Sequence, residues 1–255
     1  MEFFRFFLNL NLFILLPILV FGIAFYYFNQ VTKDNILNNL GWNAYAVSGV
    51  IGVPIHEISH LMFHLIFRHR ITGLSLYRPF KGKKDGTLGY VNYNYNPMSL
   101  YQNIGLFFAG IAPMIGGTLV IILLMKLLLP NTFNSFQFDI TNFTFSNLFE
   151  VLGANLKNLV SMQDGVFFFI VFFLVACMIA INMDISSADL KNSLHGLIFV
   201  EISGLVLSVI SCLFDFNIDI MGISAMLIFI LIIGLTFSII SVLLSFITLI
   251  SKAWD

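Results

Sequence analysis

Charge is what this chain has least of. Only 10% of its 255 residues are Asp, Glu, Lys or Arg, against about 25% in an ordinary soluble domain. Twelve basic and thirteen acidic side chains leave a net charge of −1. No basic stripe is present to neutralise phosphates, so nucleic acid is excluded as a partner. Cysteine is scarce too: Cys177 and Cys212 both lie in apolar runs and read as packed thiols that say nothing of redox compartment. Also missing is any repeat, low-complexity tract or linker, so residues 1–255 read as a single membrane domain. What remains is apolar surface: 59% hydrophobic residues, thirty Phe and a mean hydropathy of +0.95. The expected class is an all-α polytopic membrane protein.

A helix needs about 20 apolar residues to cross a bilayer. Six stretches qualify, at 8–28, 44–67, 101–129, 165–182, 194–214 and 221–250. The first has too long an apolar run for a signal peptide and ends in bulky AFYYF, so it is expected to be retained. Between the second and third stretches lie Arg68, Arg70, Arg78, Lys81, Lys83 and Lys84 against one acid, Asp85. Excess Lys and Arg favours the cytoplasm. The segments at 130–164, with Asp139, Glu150, Asp164 and Lys157, and at 215–220, with Asp215 and Asp219, then face outward. Both termini are expected inside, as in a bacterial plasma membrane. Lys126 can snorkel to the interface.

The basic segment, 68–98, holds ITGLSLY (71–77) and GTLGYVNYNY (86–95) around KGKKDG. Alternating Thr, Tyr, Val and Leu about a Gly- and Asp-rich turn predicts a small cytoplasmic β-hairpin. It either caps the bundle or offers a free edge to an extended peptide.

The chemistry lies in VPIHEISHLMFHL, residues 53–65. Helical residues four apart are separated by 400°, so His56 and His60 share a face about 6 Å apart along the axis. Two imidazoles so placed can hold zinc, and Glu57 beside them can act as general base on an attacking water. Ionised groups inside a membrane cost about 2.5–3.5 kcal/mol each on insertion scales and tend to be kept for function. His64 continues the face, but lies about 12 Å along the axis from His56, which suits packing better than ligation.

Zinc needs a third protein ligand. NMDISSADLKNSLHG (182–196) and the residues just after it offer Asp184, Asp189, His195 and Glu201. Ser186 could instead cap a helix with Asp189 at its third position, and Glu201 reads as a polar partner within the bundle. His56 and His60 lie about 12–18 Å below the boundary marked by Arg68. The polar turn must therefore dip into the membrane, within protein or a wet cavity. Gly49, Gly52 and Pro54 could bend or narrow the second helix.

HEISH in an apolar helix, followed by an aspartate-bearing apolar segment, resembles the site-2 protease family of intramembrane zinc metalloproteases. The likeness covers residues 44–200, the candidate catalytic core. Gly110, Pro113, Gly116 and Gly117 in FAGIAPMIGG resemble that family's middle helix. By this resemblance His56 and His60 are zinc ligands, Glu57 is the general acid/base and Asp189 is the third ligand, with membrane proteins or peptides as substrates. The sequence departs from the family's Asn-Pro…Asp-Gly pattern: no proline follows Asn182, and Leu190 follows Asp189. Asp184 therefore stays open as the third ligand. Two other classes also stay open: a transporter or proton relay using intramembrane His, Glu and Asp, and an inactive scaffold or immunity factor on the protease fold.

Overall fold

A chain this poor in polar partners satisfies its backbone by forming helices. The computed structural model describes residues 2–136, 148–214 and 218–252; Asp139 and Asp215, counted among the outward acids, lie outside them. Helix α1 (Glu2–Leu10) passes through one π turn (Asn11–Leu15) into α2 (Leu16–Ile66). That helix is two arms joined at Gly41, whose φ of 77° lies where a side chain would be strained. The arms turn back on one another. Lys33 on the first and Gly52 on the second both reach the segment 178–184. Gly41 is the only residue of α2 with non-helical φ/ψ, so the bend expected near Pro54 lies thirteen residues earlier.

Strand β1 (Arg70–Ser75) pairs antiparallel with β2 (Tyr90–Asn94), Arg70 opposite Asn94 and Ser75 opposite Tyr90. The expected strands are there, but KGKKDG is not a tight turn. It falls in a short helix, α3 (Pro79–Asp85), with proline in its first turn and left-handed Gly86 at its end. Lys83 and Lys84 sit in the last turn, where the dipole favours them.

The hairpin does not stand off the end of α2. It lies along the second arm. Trp42 Nε1 donates to the Pro79 carbonyl (3.0 Å), and the Tyr77 hydroxyl donates to that of Ala46 (2.6 Å). Leu88 packs at Gly49, Gly89 at Glu57, and the Tyr93 ring stacks on His64 at 3.7 Å. From Trp42 to His64 is about 33 Å of helix. Arg68 and Arg70 thus lie at one end of the arm and α3 with its lysines at the other, so the basic residues counted together in sequence do not share one end.

Helix α4 (Leu100–Leu128) is capped by Ser99, whose hydroxyl accepts from the Gln102 N–H. It returns along the second arm, Gly105 meeting Phe67 and Gly116 meeting Ser59. Near its end Lys126 lies over the Phe133 ring at 5.9 Å, on α5 (Pro130–Ser135). After α6 (Leu148–Val160) come α7 (Val166–Ala180) and α8 (Ser187–Phe214). These two follow α4 in reverse as one broken rod: Gly117 abuts Ile179 and Met183, Gly110 abuts Asp189 and Ser193, and Gly196 abuts Phe107 and Asn103. The polar turn therefore sits partway along α4 rather than beyond its end. Helix α9 (Ile220–Lys252) runs parallel to the first arm, Ser224 bonding Phe13, and Ser245 and Thr248 bonding Asn35 and Asn39. The two ends of the described chain thus lie at opposite ends of the bundle.

Among the described residues four helical stretches are long and apolar enough to cross a membrane: Phe3–Ile66, Leu100–Leu128, Ser187–Phe214 and Ile220–Leu249; Val166–Ala180 is shorter. The first two of the six expected spans are the arms beside Gly41, and the fourth and fifth are halves of the broken rod. Hydropathy counts apolar residues and does not say where the path reverses. Of the two thiols expected to be packed, Cys177 is buried and Cys212 is exposed on α8.

Candidate metal centre

One helical turn brings the rings of His56 and His60 to 4.7 Å between centroids, with their Nε2 atoms 3.0 Å apart. His56 Nδ1 lies 2.7 Å from the Asn182 carbonyl oxygen, and His60 Nδ1 lies 2.8 Å from that of Ala109. A carbonyl oxygen only accepts, so each Nδ1 carries the hydrogen and donates. In the neutral rings both Nε2 atoms then hold lone pairs, pointing at one another. Such a contact is repulsive unless a metal ion, or a proton on one of the rings, stands between them.

Asp189 completes the set. Its Oδ2 is 3.5 Å from His60 Nε2, and donor atoms of His56, His60 and Asp189 all lie within 4.8 Å of one another. Ligands about 2.0–2.1 Å from a tetrahedral zinc are roughly 3.3 Å apart, close to the 3.0 and 3.5 Å spacings about His60 Nε2. Two imidazoles and a carboxylate leave the fourth position that a catalytic zinc keeps open. The carbonyls of Asn182 and Ala109 are the kind of outer partners that fix the tautomer of metal-binding histidines. The donor set could hold a metal ion.

The capping role foreseen for Ser186 coexists with this one. Ser186 Oγ accepts from the Asp189 N–H at 3.1 Å, and its hydroxyl donates to Asp189 Oδ2. The cap fixes the carboxylate at the first turn of α8 while Oδ2 still faces His60. Close approach is possible because Gly110 lies against Ser193 and Asp189, and Gly52 against Met178 and Asn182, with no side chain between.

Glu57 is buried, with 7% of its surface exposed. A Cβ added to Gly89 would come within 2.8 Å of its Cγ and Oε1, so the approach to β2 forms one wall of its pocket. Of the other candidates, Asp184 turns away to Lys33, at 2.7 and 2.9 Å. The His195 imidazole is 3.2 Å from Asn103 Oδ1. Glu201 is half-buried, twelve residues or about 18 Å along α8 from Asp189. His64 pairs with His69, Nδ1 to Nδ1 at 2.7 Å, beneath Tyr93. At the strand, burial holds His69 below its usual range and pushes the Tyr93 phenol up to about 12; the Tyr93 oxygen accepts from Asn192 at 2.9 Å.

Sequence reasoning missed Gly89, Lys33 and the two carbonyl oxygens. Lys33 carried a signal: a lysine sheltered between apolar stretches needs an acid, although no local pattern says which. The carbonyls carried none. Between the first arm, α4 and α8, an apolar cavity of about 390 Å³ is lined by Ile18, Gly22, Phe107, Ile111, Leu190 and Leu194, among others. Comparison with protein-family models, with curated proteins and with solved structures gave no match to this chain.

Proposed function

We propose that the protein is an intramembrane zinc metalloprotease, similar in its centre to the site-2 proteases. The observation that carries the reading is the pair of Nε2 atoms 3.0 Å apart, with both Nδ1 atoms on backbone carbonyls and the Asp189 carboxylate beside them. His56, His60 and Asp189 would hold the ion. Bound there, zinc supplies a Lewis acid that polarises the scissile carbonyl and lowers the pKa of water to about 7.

The chain's own residues supply the rest. Glu57 takes a proton from the attacking water as its oxygen bonds to the carbonyl carbon. Glu57 then delivers that proton to the amide nitrogen as the C–N bond breaks. Backbone carbonyls hold both imidazoles in the tautomer that presents Nε2. The 390 Å³ cavity lined by Leu190 and Leu194 of α8 suits apolar side chains of a membrane-associated protein or peptide. The hairpin along α2 supplies an edge for the unwound stretch around the cut. We place the protein in a bacterial plasma membrane as a multi-pass chain with its centre open to the cytoplasm. The parallel course of the first arm and α9 favours opposite faces for the two ends of the described chain, where both termini were expected inside.

Zinc content and cleavage of candidate single-span proteins by the purified protein test this reading. Wild type should hold about one zinc per chain. Glu57→Gln should keep that zinc and lose about a hundredfold or more of its activity. A wild type without tightly held metal would sink the proposal. The rod broken at 181–186 and the buried Lys33–Asp184 pair favour a second reading, ion-coupled transport, since discontinuous helices line transporter sites; that reading requires no resident zinc.

A further inference from the structure

Lys33 and Asp184 form a sheltered ion pair, with side-chain exposures of 18% and 6%. Lys33 Nζ lies 2.7 Å from Asp184 Oδ1 and 2.9 Å from Oδ2. Such a pair is a poor source of stability, because desolvating two charges offsets most of their attraction, and apolar replacements of similar size are often neutral or better. What it does supply is direction. One ammonium on a fixed helix donates to one carboxylate in one place.

That place is the break in the α7–α8 rod. Between Ala180 and Ser187 the backbone leaves the helix, and three groups of this stretch and the following turn reach outward. The Asn182 carbonyl meets His56 on the second arm of α2, and the Asp189 carboxylate meets His60 on the same arm. Asp184, between them in sequence, meets Lys33 on the first arm. The two arms, folded at Gly41, thus grip the break from both sides, and two of the three grips set atoms of the metal centre. Asp184 is two residues from Asn182 and five from Asp189, so releasing it frees the segment that carries both.

We propose that Lys33 is a positioning residue for the metal centre: by anchoring Asp184 it fixes the break so that the Asn182 carbonyl and the Asp189 carboxylate meet His56 and His60. This rests on the metal-centre reading above. It goes further by giving an ionic contact outside the ligand set control over metal affinity.

The test is zinc affinity, read by chelator competition, with thermal unfolding in detergent, for full-length wild type, Lys33→Met, Lys33→Arg and Lys33→Met/Asp184→Leu. Outer contacts to metal ligands change affinity about 10–100-fold. Lys33→Met and the double variant should both lose at least about tenfold in zinc affinity on that scale. The double variant should unfold near the wild-type temperature, and Lys33→Arg should recover most of the affinity. A double variant with wild-type stability and wild-type affinity would make the pair merely structural and overturn the proposal. So would failure of both Lys33→Met and the double variant to fold, since Lys33 would then serve the fold rather than the centre. If wild type binds no zinc, the metal-centre reading falls and this one with it; if wild type binds zinc and the double variant binds it equally, only this one falls.

Discussion

Four histidines lie within fourteen residues of one another and form two pairs with opposite character. His64 and His69 face each other through Nδ1 at 2.7 Å, and His69 Nε2 is 2.8 Å from the Gln102 carbonyl. That carbonyl requires a hydrogen on His69 Nε2, so His69 Nδ1 is an acceptor and His64 Nδ1 donates to it. The contact between the rings is complete without any ion. One turn earlier, His56 and His60 spend both Nδ1 hydrogens on carbonyls and, as neutral rings, face each other with lone pairs only, an acid at their side. Metal affinity is thus not a matter of having two imidazoles close together. It depends on which nitrogen the backbone has already taken.

The largest expected effect separates the pairs outright. His60→Ala or Asp189→Ala should reduce bound zinc from about one per chain to near none, while His64→Ala should leave it unchanged; equal losses from all three would erase the distinction. Next comes chemistry without loss of metal. Gly89→Ala should push Cγ and Oε1 of Glu57 from their place, since its Cβ would lie 2.8 Å from each. Cleavage should fall while zinc stays, and an unchanged rate would show that the approach of β2 does not set the position of Glu57.

A packing variant gives a smaller effect. Gly110→Ala places a methyl against Ser193 Oγ and within 2.8 Å of the Asp189 carbonyl, and overpacking of this kind costs about 1–3 kcal/mol. Because it shifts the first turn of α8, unfolding temperature and zinc affinity should fall together. Smallest of all, His64→Ala strands a buried acceptor on His69 at a cost of about 1–3 kcal/mol, with part returned if water enters. Denaturation in detergent should register that loss with zinc occupancy intact, and a stable variant would mean that the pair does nothing for the fold.

What could be read early is local in origin. His56, Glu57 and His60 follow from helical periodicity inside an apolar run, and the strands at 70–75 and 90–94 from alternation. From the residues alone the third donor was narrowed only to a segment, and the family resemblance named Asp189 with Asp184 still open. Asp184 and Asp189 are equally acidic and five residues apart, and the choice rests on Lys33, 151 residues before Asp184. The hairpin's strands were legible, but its course along α2 was not, because contacts such as Trp42 with Pro79 and Tyr77 with Ala46 leave no periodic trace.

Composition alone set the apolar, helical class of this protein, and a spacing of four residues set two imidazoles on one face. Both follow from rules that act over a single turn of chain. Where the path reverses was decided elsewhere, by the φ of Gly41, by the midway break in the rod and by carbonyls that choose a tautomer. Those depend on segments meeting across the bundle, and only the folded chain brings them within a hydrogen bond's reach.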